Sequence, residues 1–274
     1  MKYEIAIPSY KRAKALHDNT LKILSSIPVE NITIFVRNQE ELDDYIKENG
    51  TEYNYIITEA CGIKNTRNFI RTYYHKKDLD LVISMDDDII AINKLQITND
   101  KKTIKSLSPE EFREAILYMY DETKKRNFKF FGLCVYNNPF YMNEKITTNL
   151  KLISQVYGII EPHIGELHQC SVGEGEDLEF TMKHFIADGG VVRFNNYSYH
   201  SKPFANMEGG MYKDLGGFEN RIKQGQEDIL FLENTYPEMC SRKLTNGKWK
   251  CKDMEENYRL VLNYRYKNIS TKIL

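Results

Sequence analysis

The 274-residue sequence predicts an α/β protein: a Rossmann-like, mostly parallel central sheet flanked by helices, followed by a C-terminal extension. Three observations carry that prediction. Short apolar runs rich in Ile, Val, Phe and Tyr alternate with longer stretches whose apolar residues recur at helical spacing. The alternation starts at the first residues and continues through the chain, which is the rhythm of right-handed βαβ units. Polar clusters follow directly on the apolar runs, at the strand ends where an open α/β sheet gathers its ligands.

Each element has its own signal. "YEIAIPS" is a buried strand that stops at Pro8, because proline cannot donate to a sheet ladder. "KRAKALHDNTLKILSSI" follows as a helix carrying Ala15, Leu16, Ile23 and Leu24 on its apolar face. "NITIFVRN" is the second strand and "EELDDYIKENG" a short helix that Gly50 stops. "YNYIITE" is the third strand, and "IKNTRNFIRTYYHKK" a helix with Phe69, Ile70 and Tyr73 on one side. "DLVISM" is the fourth. "SPEEFREAILYMYDETKKR" opens with a capping box, Ser108 as N-cap, Pro109 at the first helical position and Glu111 at the third.

"FKFFGLCVY" and "LKLISQVYGII" then read as strands around the polar loop "NNPFYMNEKITTN". "EDLEFTMKHFIADGG" is a helix ended by Gly189 and Gly190, and "VVRFNNYSYH" a strand. "HSKPFANMEGGMY" is a Gly-rich loop, "QEDILFLENTY" a further helix, and "KLTNGKWKCK" a turn around Asn246-Gly247. No repeat or low-complexity linker divides the chain. One domain results, with a core over residues 1–205 and a lid loop and extension over 206–274. Within the core, residues 1–95 carry the four polar strand exits and residues 96–205 make a second half.

Composition excludes several function classes. Lys+Arg 38 against Asp+Glu 39 gives a net charge of -1, so no global field draws the chain to nucleic acid or membranes. A nucleic-acid partner needs a local basic patch, and "KKTIK", "KKR" and "SRKLTNGKWKCK" with Trp249 are the candidates. For any single run, solvated helix and turn surface is the better explanation. Five cysteines without a CxxC pair argue against a disulfide framework or structural zinc, and point to the reducing cytoplasm. "MKYEIAIPSY" lacks the apolar stretch of a signal peptide, and no run reaches transmembrane length. Neither G-x-x-x-x-G-K-[ST] nor G-x-G-x-x-G occurs, which disfavours P-loop kinases and dinucleotide enzymes.

The chemistry concentrates in "LVISMDDDII". Three adjacent carboxylates after a buried strand repel one another unless a cation sits among them, and such a cation usually holds phosphates. "PSYKR", "VRNQEE" and "EACGIKNTRN" follow the three preceding strands, so all four exits share one sheet edge. Arg67, early in its helix, is suited to a phosphate or ribose near the positive helix end. Singly, each loop is ordinary turn chemistry; together they describe a nucleotide site.

"IPSYKRA", "GIKNTRNFI" and "DDDI", in that order, resemble nucleotide-sugar glycosyltransferases of the GT-A fold, with the acidic triplet in the place of the DxD motif. Through "GEDLEFTMK" and "YSYHSKP" the sequence is similar to phage-type glycosyltransferases, including those associated with TET-like enzymes that sugar-modify hydroxymethylated DNA bases. The resemblance implies a nucleotide-sugar donor, a UDP-sugar first, lying across Pro8, Ser9, Tyr10 and Arg12, with Arg37 and Asn38 near the base edge. Gly62, Arg67, Asp86, Asp87 and Lys202 complete the donor set. It implies Mn²⁺ or Mg²⁺ held by Asp88 and Asp86, with His200 as a further ligand; imidazole favours Mn²⁺.

The same resemblance places the base of an inverting enzyme in the acidic pair that opens the "EDLEF" helix, Asp177 first and Glu176 second. Helix capping explains that pair without catalysis. Glu227 and Asp228 in "GQEDILF" form a rival pair with the same helix-start character. Gly209 and Gly210 are candidate lid hinges. A glycan or protein acceptor, a sugar-phosphate nucleotidyltransferase and a non-catalytic binding protein remain open; the nucleotidyltransferase lacks its Gly-rich loop after the first strand.

Overall fold

The computed structural model describes residues 1–162, 169–201, 216–245 and 257–267. Lys202, the Gly209-Gly210 hinge, the Asn246-Gly247 turn and Trp249 lie outside the described residues.

The first four strands are β1 (Tyr3–Pro8), β2 (Ile32–Val36), β3 (Asn54–Ile57) and β4 (Leu81–Met85), linked by helices α1 (Ala13–Asp18), α2 (Thr20–Ile23), α3 (Gln39–Asn49) and α4 (Gly62–His75). They pair in parallel in the order β3-β2-β1-β4. β2 and β4 are buried at every position, as expected of strands covered by helices on both faces. Ile5 and Ile7 pack into a cluster with Leu16 and Leu24, while Ala6 faces the other way onto Ile70 and Tyr74 of α4. The single helix expected after β1 is broken in two at Asn19.

Directly after the Asp triplet comes a hairpin that the sequence reading did not foresee, β5 (Ile89–Thr98) and β6 (Lys101–Ser106). Asn99 and Asp100 both take positive φ, 49° and 61°, as a two-residue turn of this twist demands. "KKTIK" is therefore strand, neither helix nor turn. Helix α5 (Pro109–Lys125) has its capping box: Ser108 Oγ accepts from the Glu111 amide and Glu111 accepts from the Ser108 amide. β7 (Phe130–Cys134), β8 (Ile146–Thr147), β9 (Val156–Ile160), helix α6 (Glu176–Asp188) and β10 (Val192–Ser201) complete the core. The strand expected over 150–160 is regular only from Val156.

The sheet continues β4-β9-β7-β10-β5-β6, with β9 antiparallel to both β4 and β7. β7 therefore points the same way as β4, and β10 runs parallel to β7. The carboxyl ends of β1, β2, β3, β4, β7 and β10 share one edge of this mixed sheet. Beyond it, helix α7 (Phe218–Thr235) packs on a two-stranded ribbon, β11 (Cys240–Leu244) with β12 (Tyr258–Leu262). α7 begins at Phe218, so Glu227 and Asp228 lie in mid-helix, which corrects their expected helix-start position.

Candidate active site

The acidic triplet is a turn held from three sides. The Asp86 amide donates to the Gln155 carbonyl (3.0 Å). Thr20 Oγ1 of α2 donates to the Asp86 carbonyl (2.8 Å) and accepts from the Ile89 amide (3.0 Å). The three carboxylates then take different surroundings. Asp86 Oδ1 accepts from Arg67 Nη2 at 2.5 Å. Asp87 is buried and accepts from Ser9 Oγ (2.5 Å) and Arg12 Nη1 (3.0 Å). Ser9 has one proton and gives it to Asp87, so the Tyr45 hydroxyl, 2.5 Å away, donates to Ser9 while accepting from the Arg12 amide. Burial raises the Asp87 carboxyl, against the pull of Arg12.

Asp88 is the odd one. Its Oδ2 is 3.5 Å from Arg12 Nη1, and its Oδ1 is buried with no hydrogen-bond partner. Burial first, then Asp86 and Asp87, push this carboxyl up to about 7. An ionised carboxylate with an idle buried oxygen is costly alone and comfortable beside a cation. Among the described residues no three His, Cys, Asp or Glu side chains gather into a complete metal site. The donor set fits a hard cation that takes one or two carboxylates from the protein and the rest of its shell from phosphates and water. Asp88, with Asp86 beside it, would hold that cation.

Arg67 and Glu176 join the two halves. Arg67, 5% exposed, bridges Asp86 and Glu176, and Arg71 Nη2 donates to the second Glu176 oxygen at 3.1 Å. Burial opposes the Arg67 charge, and Asp86, followed by Tyr157 and Asp177, holds its pKa raised. Both oxygens of buried Glu176 are thus engaged by arginines, which suits a strut more than a base. Asp177 faces the cleft, with Oδ1 accepting from the Leu178 amide (2.8 Å). Gly175, in the left-handed region at φ 79°, sits at the N-cap of α6, where no side chain caps the helix.

Pro8, Ser9, Tyr10, Arg12, Arg37, Gly62, Arg67, the three aspartates, Glu176 and Asp177 all line one cleft of about 500 Å³. Arg37 Nη1 donates to the Tyr10 hydroxyl (3.0 Å), its guanidinium lies 5.3 Å from the Tyr10 ring, and it also contacts Cys61 Sγ. Gly62 opens α4 at the cleft wall, so the uncapped amides of that helix end face the site. Two expected residues stand apart. Asn38 caps α3, accepting from the Glu41 amide, and does not line the cleft. His200 is an exposed residue opposite Ala91; after a register shift its neighbour Ser201 is the one that lines the cleft.

Sequence reasoning missed Glu174 and Arg221, an ion pair on the cleft wall, and the role of Asp228. Asp228, 7% exposed, accepts from the Gly173 amide (3.0 Å), the Glu174 amide (2.8 Å) and Gln224 Nε2 (3.0 Å). It therefore positions the turn that leads to Asp177. The two glycines in "VGEGED" were the available signal of a turn tight enough to need such support.

Comparison with known proteins agrees with this architecture. Glucosyl-3-phosphoglycerate synthase from Mycobacterium tuberculosis, solved with Mn²⁺, UDP and glucosyl-3-phosphoglycerate, superposes with TM-score 0.53 at 9% identity, over 95% of this chain and 86% of that one. S. aureus TarS superposes with TM-score 0.50 at 12% identity, over 85% of this chain and 40% of that one. A shorter TarS structure, of residues 1–349, matches at 11% identity and TM-score 0.47, over 85% of this chain and 66% of that one. The chain thus spans less than two thirds of either TarS structure. The likeness to the synthase shows the fold, which is that of GT-A glycosyltransferases. No curated protein sequence matches the chain. The model of the TET-associated glycosyltransferase family matches residues 3–210, from β1 past the end of β10, and the chain belongs to that family.

Proposed function

We propose that the protein transfers a sugar from a nucleotide-sugar donor, a UDP-sugar, to the hydroxyl of a hydroxymethylated base in phage DNA, with inversion at the anomeric carbon. The observation that carries the donor half of this reading is the idle buried oxygen of Asp88. Tyr10 and Arg37 offer a flat cationic surface to the nucleobase. Arg12, Arg67 and the amides at the start of α4 face the region where the diphosphate charge would lie. Mn²⁺ or Mg²⁺, when bound, neutralises the charge that collects on the departing diphosphate.

Asp177 takes the proton of the acceptor hydroxyl while that oxygen bonds to the anomeric carbon and the bond to the diphosphate oxygen breaks. Its position at the start of α6, where the helix dipole favours an ionised carboxylate, supports that role. Glu176 holds Arg67 in place. In this reading Lys202 adds a diphosphate contact, His200 is left outside the metal site, residues 1–205 are the catalytic core, and α7 of the extension braces the acceptor side through Asp228 and Arg221. No described helix is long and apolar enough to cross a membrane. Cys61, Cys134, Cys170 and Cys240 are free thiols, in keeping with work in a cytoplasm.

The test is a transfer assay with a panel of UDP-sugars and Mn²⁺ on DNA carrying 5-hydroxymethylated pyrimidines. A mass gain of one sugar on the modified base, absent from unmodified DNA, is the expected result. Donor hydrolysis without transfer to any DNA would overturn the acceptor assignment and leave the donor site standing.

A further inference from the structure

Away from the cleft floor, β10 carries a buried cation to which the described residues offer no counter-ion. Arg193 is 9% exposed, its Nε donates to Asn195 Oδ1 (2.9 Å), and among the described residues no carboxylate pairs with it. Burial lowers the guanidinium pKa, and the groups that act back on it are Cys134, Tyr136 and Tyr199. Lys151 is lowered too, by burial first and then by Arg193, with Lys145 adding to the repulsion. Asp188 and Glu144, the acids nearest in sequence to Arg193 and Lys151, do not figure among the groups that offset either cation. A buried cation with a half-buried like charge beside it costs free energy until an anion joins them.

The same place displays aromatic rings to solvent. Tyr136, Phe140 and Tyr141 are 55%, 80% and 57% exposed, and their rings touch, with centroids 5.2 Å (Tyr136–Tyr141) and 5.1 Å (Phe140–Tyr141) apart. The loop that bears them is braced. Asn137 Oδ1 accepts from Asn93 Nδ2 (2.8 Å) and Ser198 Oγ (3.0 Å), and Lys102 Nζ donates to the Met142 carbonyl (2.8 Å). This loop leaves β7 at the sheet edge shared with the Asp triplet. Arg193 lies on β10, whose last residue, Ser201, lines the cleft, so one strand links the patch to the cleft.

Cations need an anion and exposed rings need a flat partner; a phosphodiester strand with an unpaired base supplies both. We propose that Arg193, Lys151 and the Tyr136–Phe140–Tyr141 loop form a nucleic-acid subsite, the cations taking a backbone phosphate and the rings stacking on an unpaired base. This rests on the DNA-acceptor reading and assigns it a surface. A neutral glycan would cover the rings and leave the cations without a counter-ion, so it fits half of the observations.

The experiment is fluorescence anisotropy of a labelled oligothymidylate of about twelve nucleotides with the full chain, across a salt series and without donor or metal. In parallel, thermal shift with UDP and Mn²⁺ reports the donor site. Wild type is expected to bind with a linear dependence of log K on log salt. Combined Tyr136→Ala, Phe140→Ala and Tyr141→Ala, all at exposed positions, should weaken binding at least about tenfold while leaving the donor shift unchanged. Lys151→Gln should make the salt slope shallower by about 0.7. Unchanged binding by the triple variant, or displacement by heparin from both proteins alike, overturns the subsite in favour of a diffuse basic surface. A wild type that shows the donor shift and binds no strand overturns this proposal alone; loss of both overturns the donor reading with it.

Discussion

The two sides of the cleft are built on different principles. On the side proposed to take the donor, four parallel strands deliver short polar turns to one edge, and the charged groups are mostly matched within them: Asp87 with Ser9 and Arg12, Asp86 with Arg67. One carboxylate oxygen, on Asp88, is left over. On the acceptor side the sheet is mixed, with β9 antiparallel to both of its neighbours, and Asp177 depends on a turn tied down by Asp228, more than fifty residues away. The donor side is local architecture with one deliberate vacancy in its charge balance, and the acceptor side is held by long-range ties. The first should be sensitive to charge, and the second to positioning.

Breaking the donor side should have the largest effect. Asp88→Ala is expected to abolish transfer and, with it, the metal dependence of nucleotide binding, seen by product mass and thermal shift together. Asp177→Asn should lower turnover by about 10²–10⁴-fold, the usual worth of a general base, while the nucleotide shift survives. Near-normal turnover in Asp177→Asn would remove it from the mechanism.

Glu176→Gln probes the strut between the halves. It leaves buried Arg67 and Arg71 short of a charge, so about 3–5 kcal/mol of unfolding free energy should be lost in a urea titration. Asp228→Ala frees two amides and should cost roughly 1–3 kcal/mol, with turnover falling more than nucleotide affinity. Equal losses in both would mean that α7 supports the whole cleft and not the acceptor side alone.

The smallest and sharpest test is pH. The Asp88 carboxyl rises from 3.8 to about 7 on folding. The native state thus keeps a proton that the unfolded chain releases, so without metal this group destabilises the fold progressively from pH 4 to pH 7. Asp88→Asn should match wild type near pH 4 and exceed it at pH 8, by on the order of 1–4 kcal/mol.

Much of the donor side was legible in the sequence because its signals are local. Pro8 ends β1, the triplet follows an apolar run, and "GIKNTRN" opens a helix; strand direction then brings Ser9, Arg37, Gly62 and Asp88 to one edge. The β5–β6 hairpin escaped because its two strands carry exposed lysines and polar residues where a strand reader expects an apolar run. Asp228 looked like one of a helix-start pair because α7 has no capping signal at Phe218; only the fold shows its carboxylate reaching back to Gly173 and Glu174. Glu176 and Asp177 are neighbours that the family resemblance ranks, Asp177 first, with no physical reason in the sequence for the order. Helical geometry turns one toward two arginines and the other toward the cleft.

The central claim, that Asp88 waits for a cation shared with a nucleoside diphosphate, is tested most directly by thermal shift. Wild type and Asp88→Asn would be compared with UDP, with and without Mn²⁺. A bound ligand at a hundred times its Kd adds about 2.7 kcal/mol to the folded state, well within reach of the method. The account predicts a shift in wild type that requires Mn²⁺ and vanishes in Asp88→Asn. A shift of equal size in both proteins, or one indifferent to Mn²⁺, would contradict it.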